Sequence, residues 1–148
     1  MLIFRTPTGS RLYGTATPES DYDFMEVYLD NRKTTHTITG KQDVTQCSLG
    51  SFLKYVAKGS PQNLEALYSP YNTATFLKDH VHPDYYGTIN TYSRTIKSFY
   101  HHPTRRRDAY RLYLNLQEFI IKGRFNPCID LSELQRVEEE GILDSWII

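Results

Sequence analysis

The segment Gly9-Ser10-Arg11-Leu12-Tyr13-Gly14-Thr15-Ala16-Thr17-Pro18-Glu19-Ser20-Asp21-Tyr22-Asp23 lies between two stretches of strand character. Upstream, Leu2 to Thr6 reads as a short strand closed by Pro7-Thr8-Gly9. Downstream, Asp21 to Leu29 alternates, with Asp21, Asp23, Met25, Val27 and Leu29 on one parity. Between them, Ser10 to Thr17 opens a turn or short helix that Gly14 and Pro18 keep brief. Residues two apart on a strand share a face at a separation of about 7 Å. Asp21 and Asp23 therefore point the same way, a spacing at which two carboxylates converge on a hard cation. Gly9-Ser10, after a strand and before a helical turn, offers backbone N–H groups, a small hydroxyl and no bulk, which suits phosphate oxygens. An isolated Asp-x-Asp is ordinary strand-end surface and an isolated Gly-Ser an ordinary turn. Their conjunction is what carries information.

Asn31 to Gly40 is polar and either a loop or a hairpin, and Lys41 to Cys47 is compatible with a third strand bearing Asp43. Asp43 is then either a third carboxylate closing a metal site from the neighbouring strand, as two-metal phosphoryl chemistry requires, or an exposed residue paired weakly with Lys41. From Ser48 the pattern turns helical. Ser48 is the expected N-cap of a helix carrying Leu49, Phe52, Leu53, Val56 and Ala57, and Gly59 stops it. Ser60-Pro61 opens another helix that holds Asn63, Leu64, Glu65 and Leu67 before Pro70. Longer helices are expected over Asp84–His101, with Tyr85, Ile89, Tyr92, Ile96 and Phe99 on one face, and over Arg106–Lys122. The latter buries Ala109, Leu112, Tyr113, Leu116, Phe119 and Ile120 and ends at Gly123. Ser132-x-x-Gln135 is a capping-box signature for a last short helix through Glu140. Strands first and helices afterwards give an α+β domain, with a small mixed sheet in 1–47 and a helical half in 48–148 of a single 148-residue unit.

Apolar residues are 39% and charged residues 23%, enough for a packed core and unlike a disordered chain. No 18-residue apolar run is present, so no membrane partner is expected. The N-terminal residues are too soon interrupted for a signal peptide. The two cysteines, Cys47 and Cys128, form no C-x-x-C and suggest neither zinc nor a disulfide scaffold, so a reducing cytoplasm is the expected compartment. The net charge of zero conceals polarity. Residues 1–30 hold 2 basic and 5 acidic side chains, 94–124 hold 8 and 2, and 125–148 hold 1 and 6. Arg105-Arg106-Arg107, with Arg94, Lys97 and Arg111, either grips phosphate or forms a solvated face.

Gly9-Ser10, Gly14 and Ser20-Asp21-x-Asp23 resemble the signature of the nucleotidyltransferase superfamily that includes DNA polymerase beta. The fuller string through Tyr13-Gly14-Thr15-Ala16-Thr17-Pro18-Glu19 is similar to predicted nucleotidyltransferases of bacteria and phages. The likeness continues in order through Asp43-Val44-Thr45, Ser48-Leu49-x-x-Phe52-Leu53 and Lys58-Gly59-x-Pro61-x-x-Leu64-Glu65-x-Leu67-x-Ser69-Pro70. It ends with Arg107-Asp108-Ala109-Tyr110-Arg111 and the helix that stops near Gly123, spanning roughly Pro7 to Gly123.

The resemblance implies that Asp21, Asp23 and Asp43 bind Mg2+, or Mn2+, and are the catalytic carboxylates. It implies that Gly9 and Ser10 hold the triphosphate of a nucleoside triphosphate, and Arg107 and Arg111 are further candidates for binding phosphate. The implied reaction is magnesium-dependent transfer of a nucleoside monophosphate to an acceptor hydroxyl with release of pyrophosphate. The acceptor is an RNA or DNA end, a small molecule or a protein side chain. The alternative is a catalytically inactive module of the same fold that binds nucleotide or a protein partner. Glu65 is read as a structural support for a neighbouring loop rather than a catalytic group. The implied fold lacks the helix that often precedes the first strand in larger members, and a separate substrate-binding domain.

Overall fold

A computed structural model describes residues 1–146. Four strands, β1 (Leu2–Thr8), β2 (Tyr22–Tyr28), β3 (Thr35–Thr39) and β4 (Gln42–Ser48), form one mixed sheet in the order β1-β2-β4-β3. β1 and β2 are antiparallel, β2 and β4 parallel, β3 and β4 antiparallel. The polar segment after residue 30 thus resolves as a hairpin strand, and Asp43 lies on the fourth strand in chain order rather than the third. In space it is still next to β2. β1 also runs through Pro7, two residues beyond the expected end at Thr6. Proline interrupts a ladder only where its missing N–H is needed, and β1 is a sheet edge.

Among the described residues, seven α-helices follow or interrupt the strands: α1 (Ser10–Tyr13), α2 (Leu49–Ala57), α3 (Pro61–Leu67), α4 (Phe76–His80), α5 (Tyr85–His101), α6 (Arg106–Lys122) and α7 (Leu131–Glu140), with a 3-10 turn at Ile142–Ser145. Local chemistry sets most of their ends. The Ser48 side chain accepts from Ser51 N at 3.1 Å, and Asp84 accepts from Gly87 N at 2.6 Å. Gly123 closes α6 in the left-handed conformation. The last helix begins two residues earlier than the Ser132 capping box suggests. Asp130 is its cap, accepting from Ser132 N at 2.8 Å, because an ionised acceptor at the cap suits the first-turn amides. α4 has five residues, too few to show a periodic pattern.

One face of the sheet carries Phe4, Met25, Val27 and Cys47 into a core shared with Phe52 and Val56 of α2, Leu64 and Leu67 of α3, Tyr92 and Ile96 of α5, and Leu112 and Leu116 of α6. Phe4 and Phe52 meet edge to face at 5.3 Å. Two expected core positions lie at the surface instead. Tyr85, at the start of α5, stacks on Phe119 at 5.6 Å yet is exposed, and Ile120, near the end of α6, is exposed too.

Candidate active site

The face that buries Met25 and Val27 ends in carboxylates. Parallel pairing of β2 with β4 sets Asp23 directly beside Asp43, as it sets Met25 beside Thr45 and Val27 beside Cys47. β1 completes the row, with Thr8 opposite Asp23 and Thr6 opposite Met25. The same register that builds the core therefore also joins the two acids. Asp21 precedes β2 by one residue and is exposed. The Asp23 carboxyl is pushed above its ordinary range, first by burial and then by the negative charges of Asp43 and Asp21. The three groups thus form one electrostatic cluster.

Gly9 belongs to that cluster. Its φ of 69° is in the left-handed region, and a Cβ there would collide with Asp23 Oδ2. The glycine lets the strand-end loop close against a carboxylate. Beyond it, α1 is a single helical turn, with Leu12 N and Tyr13 N both bonded to Gly9 O. Arg11, which sequence reasoning assigned no role, donates from its guanidinium to Ser20 O at 2.9 Å and lies over the Tyr22 ring at 3.9 Å. It ties the 15–21 loop to the start of β2 and so sets where Asp21 emerges. On the far side of Asp43, His36 Nδ1 lies 3.0 Å from Thr45 Oγ1 and 3.6 Å from Asp43 Oδ1.

The donor set suits a divalent cation by type. Hard cations take carboxylate oxygens, three are gathered here, and Asp43 Oδ1 is buried without a hydrogen-bond partner. Among the described residues no three Asp, Glu, His or Cys groups close into a ready coordination cage. The carboxylates border a cleft rather than enclose a point.

That cleft has a volume of about 640 Å³, and Gly9, Ser10, Asp21, Asp23 and Asp43 form one wall. The helices form the other. Glu65 of α3 is fully buried and receives hydrogen bonds from the Tyr13 hydroxyl and, at 2.9 Å, from Arg111 Nη1 of α6. The Arg111 guanidinium also lies 3.6 Å over the Tyr13 ring. Burial pushes the Glu65 carboxyl up, and Arg111 and the Tyr13 hydroxyl pull it back. Burial opposes the Arg111 charge, but Glu65, Tyr13 and Asp108 together outweigh it and hold the guanidinium protonated. Glu65 thus fixes Tyr13, and through it α1, against the helical half. A charged residue inside the apolar run Leu64-Glu65-Ala66-Leu67 is the sequence signal for such a buried pair.

The basic stretch divides. Arg105 lines the cleft, stacked on Phe99 at 3.8 Å and facing Asp108 at 3.4 Å. Arg111 lines it but is committed to Glu65. Arg106 turns to Tyr100, over whose ring it lies at 4.3 Å. Arg107 points to α7, where Glu138 Oε1 is 3.5 Å from its Nε, and it is not among the residues of the cleft.

Residues 1–125 match the family RlaP, described as the RNA repair pathway DNA polymerase beta family. The chain is also 34% identical over 86 residues to the "Uncharacterized 38.9 kDa protein in nrdC-mobD intergenic region" of Enterobacteria phage T4. That alignment covers 46% of this chain and 26% of the phage protein, so the chain spans about a quarter of that relative. The family match takes in β1 through the end of α6, every element that borders the cleft. With a Gly-Ser turn closed against paired strand carboxylates and the family match running through both walls, the chain belongs to the RNA repair pathway DNA polymerase beta family.

Proposed function

We propose that the protein transfers a nucleoside monophosphate from a nucleoside triphosphate to an acceptor hydroxyl. The observation that carries this reading is the register that sets Asp23 beside Asp43, with Gly9 packed on Asp23, at one wall of the cleft. Asp21, Asp23 and Asp43 are the residues to hold Mg2+ or Mn2+, which when bound neutralises triphosphate charge and polarises the reacting phosphoryl group. Gly9 and Ser10 orient the triphosphate through the backbone of the strand-end turn, where glycine leaves room for it, and through the Ser10 hydroxyl. Arg105, on the helical wall, supplies positive charge to the same anion.

The acceptor oxygen bonds to the α-phosphorus as the bond from that phosphorus to the bridging oxygen breaks, and pyrophosphate leaves with the bond pair. Asp43, whose side chain lines the cleft, takes the proton of the acceptor hydroxyl. The protein's contribution is positioning and charge compensation, which dominate phosphoryl-type transfers. The test is incubation of the full chain with each α-labelled nucleoside triphosphate and Mg2+ or Mn2+, with RNA, DNA or protein as acceptor. Release of pyrophosphate by wild type, and its loss in Asp23→Asn, is expected. No release with any nucleotide, cation and acceptor would refute the reading.

A further inference from the structure

The turn that carries Ser10 into the cleft is held from behind. α1 is one helical turn, too short to be stable by itself, yet it delivers both Ser10 and Tyr13 to the cleft. Its last carbonyls have no partner within the turn. The segment between α6 and α7 takes them up: Ile129 N donates to Tyr13 O at 3.2 Å and Cys128 Sγ to Leu12 O at 3.4 Å. Both donors lie beyond residues 1–125, the part that matches the family. Resting on the nucleotidyl-transfer reading above, we propose that residues 125–129 form a bracket that positions the Ser10 turn for the triphosphate. Asn115 is the positioning residue that anchors the bracket.

Asn115 of α6 is buried, and sequence reasoning assigned it no role. Its Nδ2 donates to Asn126 O at 2.9 Å, and its Oδ1 accepts from Arg111 Nη1 at 3.4 Å. The residues between this anchor and the turn are fixed in their own right. Phe125 packs on Tyr68 and Tyr92, with ring centroids 6.0 and 5.8 Å away, and Asn126 Oδ1 accepts from Cys128 N at 3.0 Å.

The contacts close into a ring. Arg111 Nη1 also donates to Glu65 Oε1, and Glu65 Oε2 accepts from the Tyr13 hydroxyl. From Tyr13 the path runs through Glu65, Arg111, Asn115 and Asn126 to Ile129, and returns to Tyr13 at its backbone. The side chain and the carbonyl of one residue are thus held by two routes that meet on α6. Hydrogen bonds are directional, so this ring fixes where α1 stands in a way that the apolar packing of Leu12 alone does not.

Ser10 is at the other end of the same turn. Leu12 N and Tyr13 N bond to Gly9 O, and Gly14 N and Thr15 N bond to Ser10 O, so the turn moves as one piece. A grip on Leu12 and Tyr13 therefore sets the Ser10 hydroxyl, and loosening that grip lowers the fraction of molecules ready to bind.

The experiment measures, on the full chain, the affinity for a labelled nucleoside triphosphate with Mg2+ and the hydrogen exchange of the Leu12 to Thr15 amides. Asn115→Asp keeps an acceptor for Arg111 but sets a carboxylate oxygen against Asn126 O. Ile129→Pro removes the N–H at the opposite end of the bracket. Each is expected to speed that exchange and to weaken nucleotide binding about 2- to 13-fold, the equivalent of one hydrogen bond. The double variant should lose no more than the worse single one, because both release the same segment. Leu134→Ala, a buried side chain of α7 outside the ring, should lower Tm and change neither measurement. Unchanged nucleotide affinity in Asn115→Asp and Ile129→Pro, whatever happens to Tm, makes the segment packing only; it overturns the proposal and leaves the transfer reading standing. Losses that multiply in the double variant overturn it as well. Should Asn115→Asp fail to fold, Ile129→Pro decides alone. Wild type that binds no nucleoside triphosphate refutes the transfer reading, and the bracket's ligand with it.

Discussion

Two sets of carboxylates face one cleft, and their surroundings are opposite. On the sheet wall, Asp21, Asp23 and Asp43 act on one another, with His36 Nδ1 3.6 Å from Asp43 Oδ1, and Asp23 is held above its ordinary value by burial and by the other two. On the helical wall, Glu65 is completely buried, bonded to Tyr13 and paired with Arg111. The helical pair explains itself by folding: each charge is met inside the protein. The sheet cluster does not, because three like charges gain nothing from proximity unless something positive joins them. The contrast separates a wall whose charges are met within the fold from one whose charges are proposed to be met by a ligand.

The largest effect should come from the sheet wall, and in activity alone. Asp23→Asn and Asp43→Asn remove carboxylates on which the reaction is proposed to rest. Loss of several kcal/mol of transition-state stabilisation, roughly a thousandfold in rate, is expected in pyrophosphate-release assays, with the fold intact by circular dichroism. A variant that keeps more than a tenth of wild-type activity would break the comparison.

The helical wall should respond in the reverse sense. Arg111→Met leaves Glu65 buried without its cation, a change that typically costs about 3–5 kcal/mol. Urea unfolding should register that loss, while the remaining folded protein should still respond to Mg2+. Gly9→Ala tests the seam between the walls. A methyl in the left-handed conformation costs about 1–3 kcal/mol, and it must also displace Asp23, so both stability and the rise of Tm with Mg2+ should fall.

A smaller effect concerns pH. A carboxyl whose folded value is raised favours folding while protonated, and that contribution is lost as pH climbs through the raised value. Without metal, Asp23→Asn should therefore gain Tm relative to wild type as pH rises above 3.8, the ordinary value for the group. A constant difference across that range would mean the three acids do not interact. The smallest effect belongs to Arg107. Because it contacts Glu138 on the surface, Arg107→Ala should change stability by only ~0–1 kcal/mol and leave nucleotide affinity as it was. Arg105→Ala should weaken nucleotide binding, and more so at low salt. Equal losses in the two variants would restore the whole arginine run to the site.

Local rules account for what was legible in the chain. Caps at Ser48 and Asp84, the left-handed glycine after α6, the period of the long helices and the alternation of β2 all act over a few residues, so they are written in sequence. The Gly9-Ser10 and Asp21-x-Asp23 spacing is of the same kind. So is the oddity of a lone glutamate between Leu64 and Ala66, which signals a buried partner without naming it.

What remained depends on which distant elements meet. Nothing local says that β4 pairs parallel to β2 between it and β3, yet that choice alone puts Asp43 beside Asp23. Nothing local distinguishes Arg105, Arg107 and Arg111, two to six residues apart on or beside one helix. Their fates follow from what packs against α6: the cleft, Glu138 of α7 and Glu65 of α3. The sequence determined the local chemistry, because capping, periodicity and strand parity are short-range forces. The tertiary structure decided the pairing of charges, because an ion pair or a repelling cluster exists only once the chain has brought remote residues within a few ångströms.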